Sequence, residues 1–241
     1  MSNHYFQFKQ FTIHQDKCAM KVCTDACLFG AFVANEIQAN EQDAIKNILD
    51  IGTGTGLLSL MLAQKLHAAI DTVEIDTPAF EQAKENIAQS LYKEKIEIFN
   101  ADIVQFRTEK KYDYLISNPP FFEADLKSGN EKKNAAKHDT ALTLQELLHN
   151  ADRLLSTTGF FAVLLPYHRS NYFEEEAAKI NLYLSKKISV KQTPKHNYFR
   201  SILIFSRHEV NTLQEEIIIK NEDGNYSPAF IDLLKVYYLH L

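Results

Sequence analysis

The hydrophobic pattern of the chain switches repeatedly between the two-residue period of strands and the three-to-four-residue period of helices. Tyr5-Phe6-Gln7-Phe8-Lys9-Gln10-Phe11-Thr12-Ile13 alternates and predicts a strand or hairpin. Lys21 to Phe29 runs into Ala31-Phe32-Val33-Ala34 as a helix, with Thr24 or Asp25 as its cap. Ile48 to Ile51 reads as a strand and Leu57 to Ala63 as a helix. Ala68 to Asp76 is a second strand, closing in acids, and Thr77-Pro78 opens a helix with proline where its missing N–H does no harm. Phe80, Ala83, Ile87 and Leu91 fall on one face of that helix. Strands follow at Lys95 to Phe99, Tyr112 to Ser117 and Phe160 to Leu165. Thr143 and Glu146 form a capping-box pair before a helix carrying Leu144, Leu147, Leu148, Ala151, Leu154 and Leu155. A helix near 170–180, strands around 182–190 and 199–206, and the run Glu216 to Ile219 come next. Ser227-Pro228 then opens a last helix with Phe230, Ile231, Leu234 and Tyr238. Residues 123–139 are polar and charged, with no apolar period.

Strands and helices alternate, so the expected class is α/β, with a mainly parallel central sheet and helices on both faces. The 241 residues, 45% of them hydrophobic, suffice for one large domain over 1–241. Within it, 1–47 is an extension before the first sheet strand and 209–241 an extension after the last. No repeat or low-complexity linker divides the chain.

Ligands of such sheets bind beyond the carboxyl ends of the strands. Asp50 with Gly52, Glu74, Asp102 and Asn118 each close a predicted strand, so they should line one rim. Asp50-Ile51-Gly52-Thr53-Gly54-Thr55-Gly56 holds three of the seven glycines. Glycine takes positive φ freely and lets a ligand approach the backbone, and the following helix start presents free N–H groups. A nucleotide-type site is the expectation. Leu57 stands where a dinucleotide fingerprint wants a small residue, which disfavours an NAD-dependent dehydrogenase, and the Gly-Lys-Ser/Thr of a P-loop is absent. Gly-x-Gly-x-Gly after an Asp-ended strand is the pattern of S-adenosylmethionine methyltransferases. Glu74 suits the two ribose hydroxyls. Asp102 suits an adenine amino group, or equally the cap of a following turn. Thr24 and Asp25 either cap their helix or supply a second wall of the cofactor pocket.

Asn118-Pro119-Pro120-Phe121 is the sharpest catalytic signal. Two prolines restrict their own φ and bias the residue before each away from helix. The Asn118 side-chain oxygen and the Pro119 carbonyl can then converge as two acceptors on a planar amino group, with Phe121 stacked on its ring. Gripping both hydrogens draws the nitrogen toward a tetrahedral shape and frees its lone pair. The sulfonium methyl is already activated, so the chemistry needs no metal.

This tetrapeptide resembles the amino-group methylation motif of S-adenosylmethionine-dependent N-methyltransferases. The closer resemblance is to the bacterial tRNA1(Val) adenine-N6-methyltransferase family, and it runs nearly end to end. It is carried by Phe8-Lys9-Gln10-Phe11, Cys18 to Val22 with Thr24-Asp25, Leu49-Asp50-Ile51-Gly52, Leu60 to Gln64, Val73-Glu74 and Ala101-Asp102-Ile103. Ile116 to Pro120, Val163 to Pro166 and Asn225-Tyr226-Ser227 complete it. The resemblance implies a Rossmann-like class I methyltransferase with an antiparallel C-terminal strand, and methylation at N6 of the adenosine just 3′ of the anticodon. It implies that Asp50, Gly52, Gly54, Gly56, Glu74 and Asp102 hold the cofactor while Asn118 to Phe121 hold the base. Phe121 replaces the tyrosine of many relatives and also occurs in guanine-N2 enzymes. Cys23 stands where glycine is expected.

Charge enters last. The net −5 is mild but unevenly distributed. Lys186, Lys187, Lys191, Lys195, Arg200 and Arg207 lie in a run without an acid, and Lys127, Lys132, Lys133 and Lys137 in a second run that holds Glu131 alone. Acids crowd 209–232. Basic stretches with Tyr198 and Phe199 between them suit RNA, with Lys127, Lys132, Lys133, Lys195 and Arg200 as the contacts; a lysine-protected strand edge is the structural alternative. A lid over 123–139 would order on substrate. Cys18, Cys23 and Cys27, odd in number and without a C-x-x-C pair, fit free thiols in a reducing compartment. No secretory signal and no membrane-length apolar run is present, so the expectation is a soluble cytoplasmic protein. A release-factor-type protein glutamine-N5 methyltransferase is the runner-up. A guanine-N2 RNA methyltransferase and a non-enzymatic S-adenosylmethionine-binding RNA module are the remaining alternatives.

Overall fold

A computed structural model describes residues 3–18, 20–40, 44–120 and 142–241. The chain begins with a hairpin, β1 (Tyr5–Gln7) and β2 (Thr12–His14), followed by helix α1 (Thr24–Asn40). The first intrahelical bond of α1 runs from Cys27 N–H to the Cys23 carbonyl at 3.1 Å. Cys23 therefore holds the cap position, one residue before the expected Thr24 or Asp25. Asn181 is the one non-glycine residue with positive φ among the described residues, so Cys23 sits in a backbone conformation open to any side chain.

Five parallel strands build the first part of the sheet. They are β3 (Asn47–Ile51), β4 (Ala69–Glu74), β5 (Ile96–Asn100), β6 (Tyr112–Ser117) and β7 (Leu155–Pro166). Helices α2 (Leu57–Lys65), α3 (Thr77–Ala88) and α4 (Leu144–Leu154) lie between them. After β7 come α5 (Ser170–Ala178), β8 (Tyr183–Lys191), β9 (Tyr198–Ser206), β10 (Leu213–Ile218) and α6 (Pro228–Leu234). The strand order is β10-β8-β9-β7-β6-β3-β4-β5. Only β9 runs against its neighbours; β10 is parallel to β8. The antiparallel C-terminal strand thus lies inside the sheet, between β7 and β8.

Successive residues of a strand point to opposite faces, and both faces are buried. Ile48, Ile70, Ile116, Ala162 and Leu164 join α1, α2 and α6 in one core, while Leu49, Ile51, Val73, Val163 and Leu165 join α4 and α5 in the other. The capping box of α4 is closed in both directions, with Glu146 N–H donating to Thr143 Oγ1 at 3.1 Å and Thr143 N–H to Glu146 Oε2 at 2.8 Å. On α1, a Cβ at Gly30 would lie 2.8 Å from Met61 Sδ, so glycine is what lets α1 pack this closely on α2.

Helix α3 differs from its expected face. Leu91 lies beyond its end and is 82% exposed, and Phe80 is half-buried. The buried face is Ala79, Gln82, Ala83, Asn86 and Ile87. Two polar side chains replace apolar ones there because they hold the N-terminal segment. Asn86 accepts from His14 N–H at 2.9 Å and donates to the carbonyls of His14 at 2.8 Å and Thr55 at 2.9 Å. Gln82 accepts from Lys17 N–H at 3.2 Å. The far end of the chain returns to the same region. Lys9 N–H donates to the Tyr237 carbonyl at 2.8 Å, and the Tyr237 hydroxyl donates to the Met61 carbonyl at 3.0 Å. Phe6, Phe8, Phe230 and Tyr238 pack their rings together beside these bonds. Among the described residues no helix is long and apolar enough to cross a membrane.

Asn86 is thus the tie between hairpin and glycine turn. Asn86→Ala strands one buried donor and two carbonyls, and the expected loss is about 3 kcal/mol of unfolding free energy in a urea titration. Amide exchange at His14 should accelerate in the same variant.

Candidate active site

The strand register sets the rim. Ile51 is opposite Val73 on one side and Ser117 on the other, and Glu74 is opposite Asn100. The turn after β3, Glu74 closing β4, Asp102 after β5 and Asn118 after β6 therefore lie along one edge, as the pattern of strand ends implied. Ser117 Oγ donates to the Ile51 carbonyl at 2.9 Å and pins the end of β6 to the end of β3.

Gly52, Gly54 and Gly56 all take positive φ, at 73°, 58° and 81°. A Cβ at Gly52 or Gly54 would meet nothing within 4 Å, while at Gly56 it would meet Ala83 and Ile87 at ordinary contact distance. The first two glycines therefore border open space, and the third seats the start of α2 against α3. Gly52 N–H donates to the Val73 carbonyl at 2.9 Å and Gly56 N–H to the Thr53 carbonyl at 3.0 Å, which fixes the turn.

Asp50 is fully buried. Its Oδ2 accepts from Thr53 Oγ1 and Ser59 Oγ, each at 2.7 Å, whereas Oδ1 has no partner. Burial pushes its carboxyl up to about 6, against the opposing pull of those two hydroxyls. Ser59 is a polar residue within the apolar run Leu57-Leu58-Ser59-Leu60 and is itself fully buried. That polar interruption of an apolar run is the sign of its role that the sequence carries. The Glu74 carboxyl is likewise pushed up by burial, opposed by the N–H groups of Asp76 and Gly54. Gly54 N–H reaches Glu74 Oε2 at 2.8 Å and Asp76 N–H reaches Oε1 at 2.9 Å. Glu74 thus braces the glycine turn through both of its carboxylate oxygens. Asn100, unremarked in the sequence, donates to the Glu74 carbonyl at 2.9 Å. Asp102 Oδ1 accepts from Val104 N–H at 2.9 Å, the local turn cap that was one of its two readings.

Asn118 is half-buried, Pro119 buried and Pro120 exposed. Phe121 lies outside the described residues, as do Lys127, Lys132 and Lys133 and the lid expected over 123–139.

Thr24 and Asp25 open α1. Asp25 Oδ2 accepts from Arg200 Nε at 2.7 Å, which ties the start of α1 to β9. The whole basic run behaves this way. Lys186 meets Glu36 at 2.7 Å, Lys187 meets Glu174 at 4.0 Å, Lys191 meets Glu216 at 2.9 Å and Arg207 meets Asp152 at 2.7 Å. Lys195 meets Glu222 only at 3.8 Å, with both side chains well exposed. Charges segregated in sequence are interleaved in space, which favours the strand-edge alternative over a backbone-tracking basic surface. Burial pushes the Cys18 and Cys27 thiols up to about 11 and about 12, so both stay neutral and unreactive.

A family model for the methyltransferase small domain matches residues 30–175. A protein of Dyadobacter fermentans named tRNA1(Val) (adenine(37)-N6)-methyltransferase is 45% identical, with 98% of each chain aligned. One of the same name from Flavobacterium johnsoniae is 41% identical over 98% of this chain and 100% of its own. Among solved structures, a predicted O-methyltransferase from Agrobacterium tumefaciens superposes with a TM-score of 0.67 at 14% identity, covering 88% of this chain and 96% of its own. A methyltransferase from Pyrococcus furiosus gives 0.53 at 22% identity, covering 74% and 83%. These two show the fold alone: a class I S-adenosylmethionine-dependent methyltransferase. With that fold, that glycine turn and relatives of this identity along nearly its whole length, the chain belongs to the tRNA1(Val) (adenine(37)-N6)-methyltransferase family.

Proposed function

We propose that this enzyme transfers a methyl group from S-adenosylmethionine to the exocyclic N6 amine of an adenosine in tRNA, in the cytoplasm. The nucleotide is the one the relatives' name specifies, adenine 37 of tRNA1(Val), just 3′ of the anticodon. The observation that carries the reading is the adjacency of β3 and β6. The strand that ends in the glycine turn lies beside the strand that runs into Asn118-Pro119-Pro120, so cofactor and amine acceptors share one rim.

The residues present fit the cofactor. Open space at Gly52 and Gly54 admits it close to the backbone, and the partnerless Asp50 Oδ1 is an acceptor for its cationic methionine end, directly or through a water. Glu74 would hold the ribose hydroxyls through its remaining lone pairs, and Asp102 the adenine edge. The cofactor supplies a methyl group already activated by the positive sulfur. The protein's task is to make the amine a nucleophile and to aim it. Asn118 Oδ1 and the Pro119 carbonyl accept the two N6 hydrogens, which localises the nitrogen lone pair and orients it toward the methyl. As the N–C bond formed, the sulfonium S–CH3 bond would break with its electron pair kept by sulfur, leaving the neutral thioether S-adenosylhomocysteine, and the proton displaced from N6 would leave by way of these acceptors to water. Phe121 would stack on the adenine. To reach such a pocket, the adenosine must leave the loop stack. The 1–47 extension would close over the cofactor site as part of one methyltransferase unit spanning 1–241; the bond from Asn86 to both the hairpin and the Thr55 carbonyl supports that role.

The deciding assay offers radiolabelled S-adenosylmethionine with unmodified tRNA or, separately, with a release factor, followed by digestion. Label in N6-methyladenosine is expected. Label in N5-methylglutamine or in N2-methylguanosine would replace this reading with one of its alternatives.

Asn118→Ala should keep S-adenosylmethionine affinity in calorimetry and lower the single-turnover methylation rate by about a hundredfold or more, the scale of losing one aligned transition-state contact. Asp50 carries a pH signature. Its folded carboxyl, at about 6, titrates above the ordinary aspartate value of 3.8, so the folded state holds its proton more tightly. Stability is full below the unfolded value and is withdrawn as pH rises from about 4 through about 6. Asp50→Asn removes that loss. The Tm of the variant relative to wild type should therefore climb across this window and level off above it, while cofactor affinity at pH 7.5 falls.

A further inference from the structure

The rim does not end at Asn118. β7 runs parallel to β6 and leaves the sheet at Pro166, on the same edge. Tyr167 follows directly, in a single 3-10 turn that also carries His168 and Arg169. β9 runs the other way, so its first residue, Tyr198, reaches the same edge, with Pro166 opposite Arg200 two positions further in. The two rings meet there, with centroids 4.9 Å apart and planes 31° from parallel. Lys191, the last residue of β8, places its ammonium 4.3 Å from the centre of the Tyr198 ring, and the Tyr198 hydroxyl donates to Glu216. Tyr198 is thereby held from two sides, and Tyr167 remains 37% exposed.

The Tyr167 ring packs on a partner that a strand, a cation and a carboxylate hold in place. The register places Ser117 opposite Val163, so Tyr167 stands three residues beyond the level of Asn118 and one strand across. By strand rise and spacing that is about 10 Å outward from the level of Asn118 and about 5 Å along the rim. The ring therefore stands beside the pocket in which the Asn118 acceptors would grip a base, not within it.

We propose that Tyr167, braced by Tyr198, is a stacking platform for a base flanking the adenosine that is methylated. This rests on the RNA reading of the active site. A base pulled out of its loop stack loses a neighbour on each side, and a rigid ring at the rim replaces one of them. Base–aromatic stacking is tolerant of sequence, because every base has a π face, so the platform would hold the loop without choosing the nucleotide. Arg169 in the same turn supplies a cation for an adjoining phosphate. The role would also account for RNA binding in a region where the lysines and arginines of the neighbouring strands are neutralised by carboxylates.

The test measures methylation kinetics on an unmodified anticodon stem-loop of tRNA1(Val) for wild type, Tyr167→Ala, Tyr167→Leu and Tyr167→Phe. KM for the RNA is expected to rise on the order of tenfold in the alanine and leucine variants and to return to wild type in phenylalanine. KM for S-adenosylmethionine and the Tm should not move. In parallel, 2-aminopurine placed at the nucleotide flanking the target should be quenched on binding to Asn118→Ala, and the quenching should be lost when Tyr167→Leu is added. An active wild type whose RNA KM is unchanged in Tyr167→Leu overturns the platform and leaves the tRNA reading intact. So does a leucine variant whose KM for cofactor rises equally, which would make Tyr167 a structural residue. A wild type that methylates a protein and no RNA overturns both.

Discussion

Three positive φ angles within five residues hold this molecule's active edge together. Residues with a Cβ resist that conformation, and the turn from β3 to α2 uses it three times. The bend points the start of α2 back along the sheet and leaves backbone bare toward the rim. It also exposes polar backbone that must be satisfied. Gly52 and Gly56 are paired with backbone carbonyls, Gly54 with Glu74, and the Thr55 carbonyl with Asn86. The acid expected to meet the cofactor is therefore also part of the scaffold of the turn. Removing the Glu74 carboxylate would loosen the turn itself, beyond any effect on the ribose contact proposed for it.

A second constraint is electrostatic. The run from Lys186 to Arg207 has no acid of its own, and the residues after it are rich in acids. Laid out along the chain, this suggests a basic surface. Folding sets β8 beside β10 in parallel register, which brings Lys191 to Glu216 and Lys186 near Glu215, while α1 supplies Glu36 and Asp25. Exposed pairs of this kind add little stability individually. Their larger effect is to quiet the field over this part of the sheet. A nucleic acid approaching here would meet shape and aromatic surface more than charge.

The parts legible in the sequence were those governed by local chemistry. Period, glycine spacing, the Pro-Pro pair and the Thr143–Glu146 capping box each follow from residues close together in the chain, and each element stands within a few residues of where the pattern put it. What escaped was decided by partners far away. Asn86 and Gln82 spoil an apolar helix face for a reason visible only when His14 and Lys17 are beside them. Arg200 and Asp25 are 175 positions apart and form one ion pair. The buried Ser59 belongs to a middle class, since a hydroxyl inside an apolar helix announces a buried acceptor without saying which one.

The placement of β9 between β7 and β8 bears on how the protein is made. During synthesis β8 emerges before the strand that joins it to the sheet, and it pairs with nothing on β7. The parallel sheet from β3 to β7, which contains the entire cofactor rim, can assemble while β8 still waits for residues 198–206. Closure comes later still, because Phe8 near the start of the chain bridges to Tyr238 near its end. The hairpin that leans on the glycine turn is thus finished by a residue synthesised 230 positions after Phe8. A nascent chain that has not yet made the segment around Tyr238 would hold the glycine turn in a half-supported form until that segment docks on the hairpin.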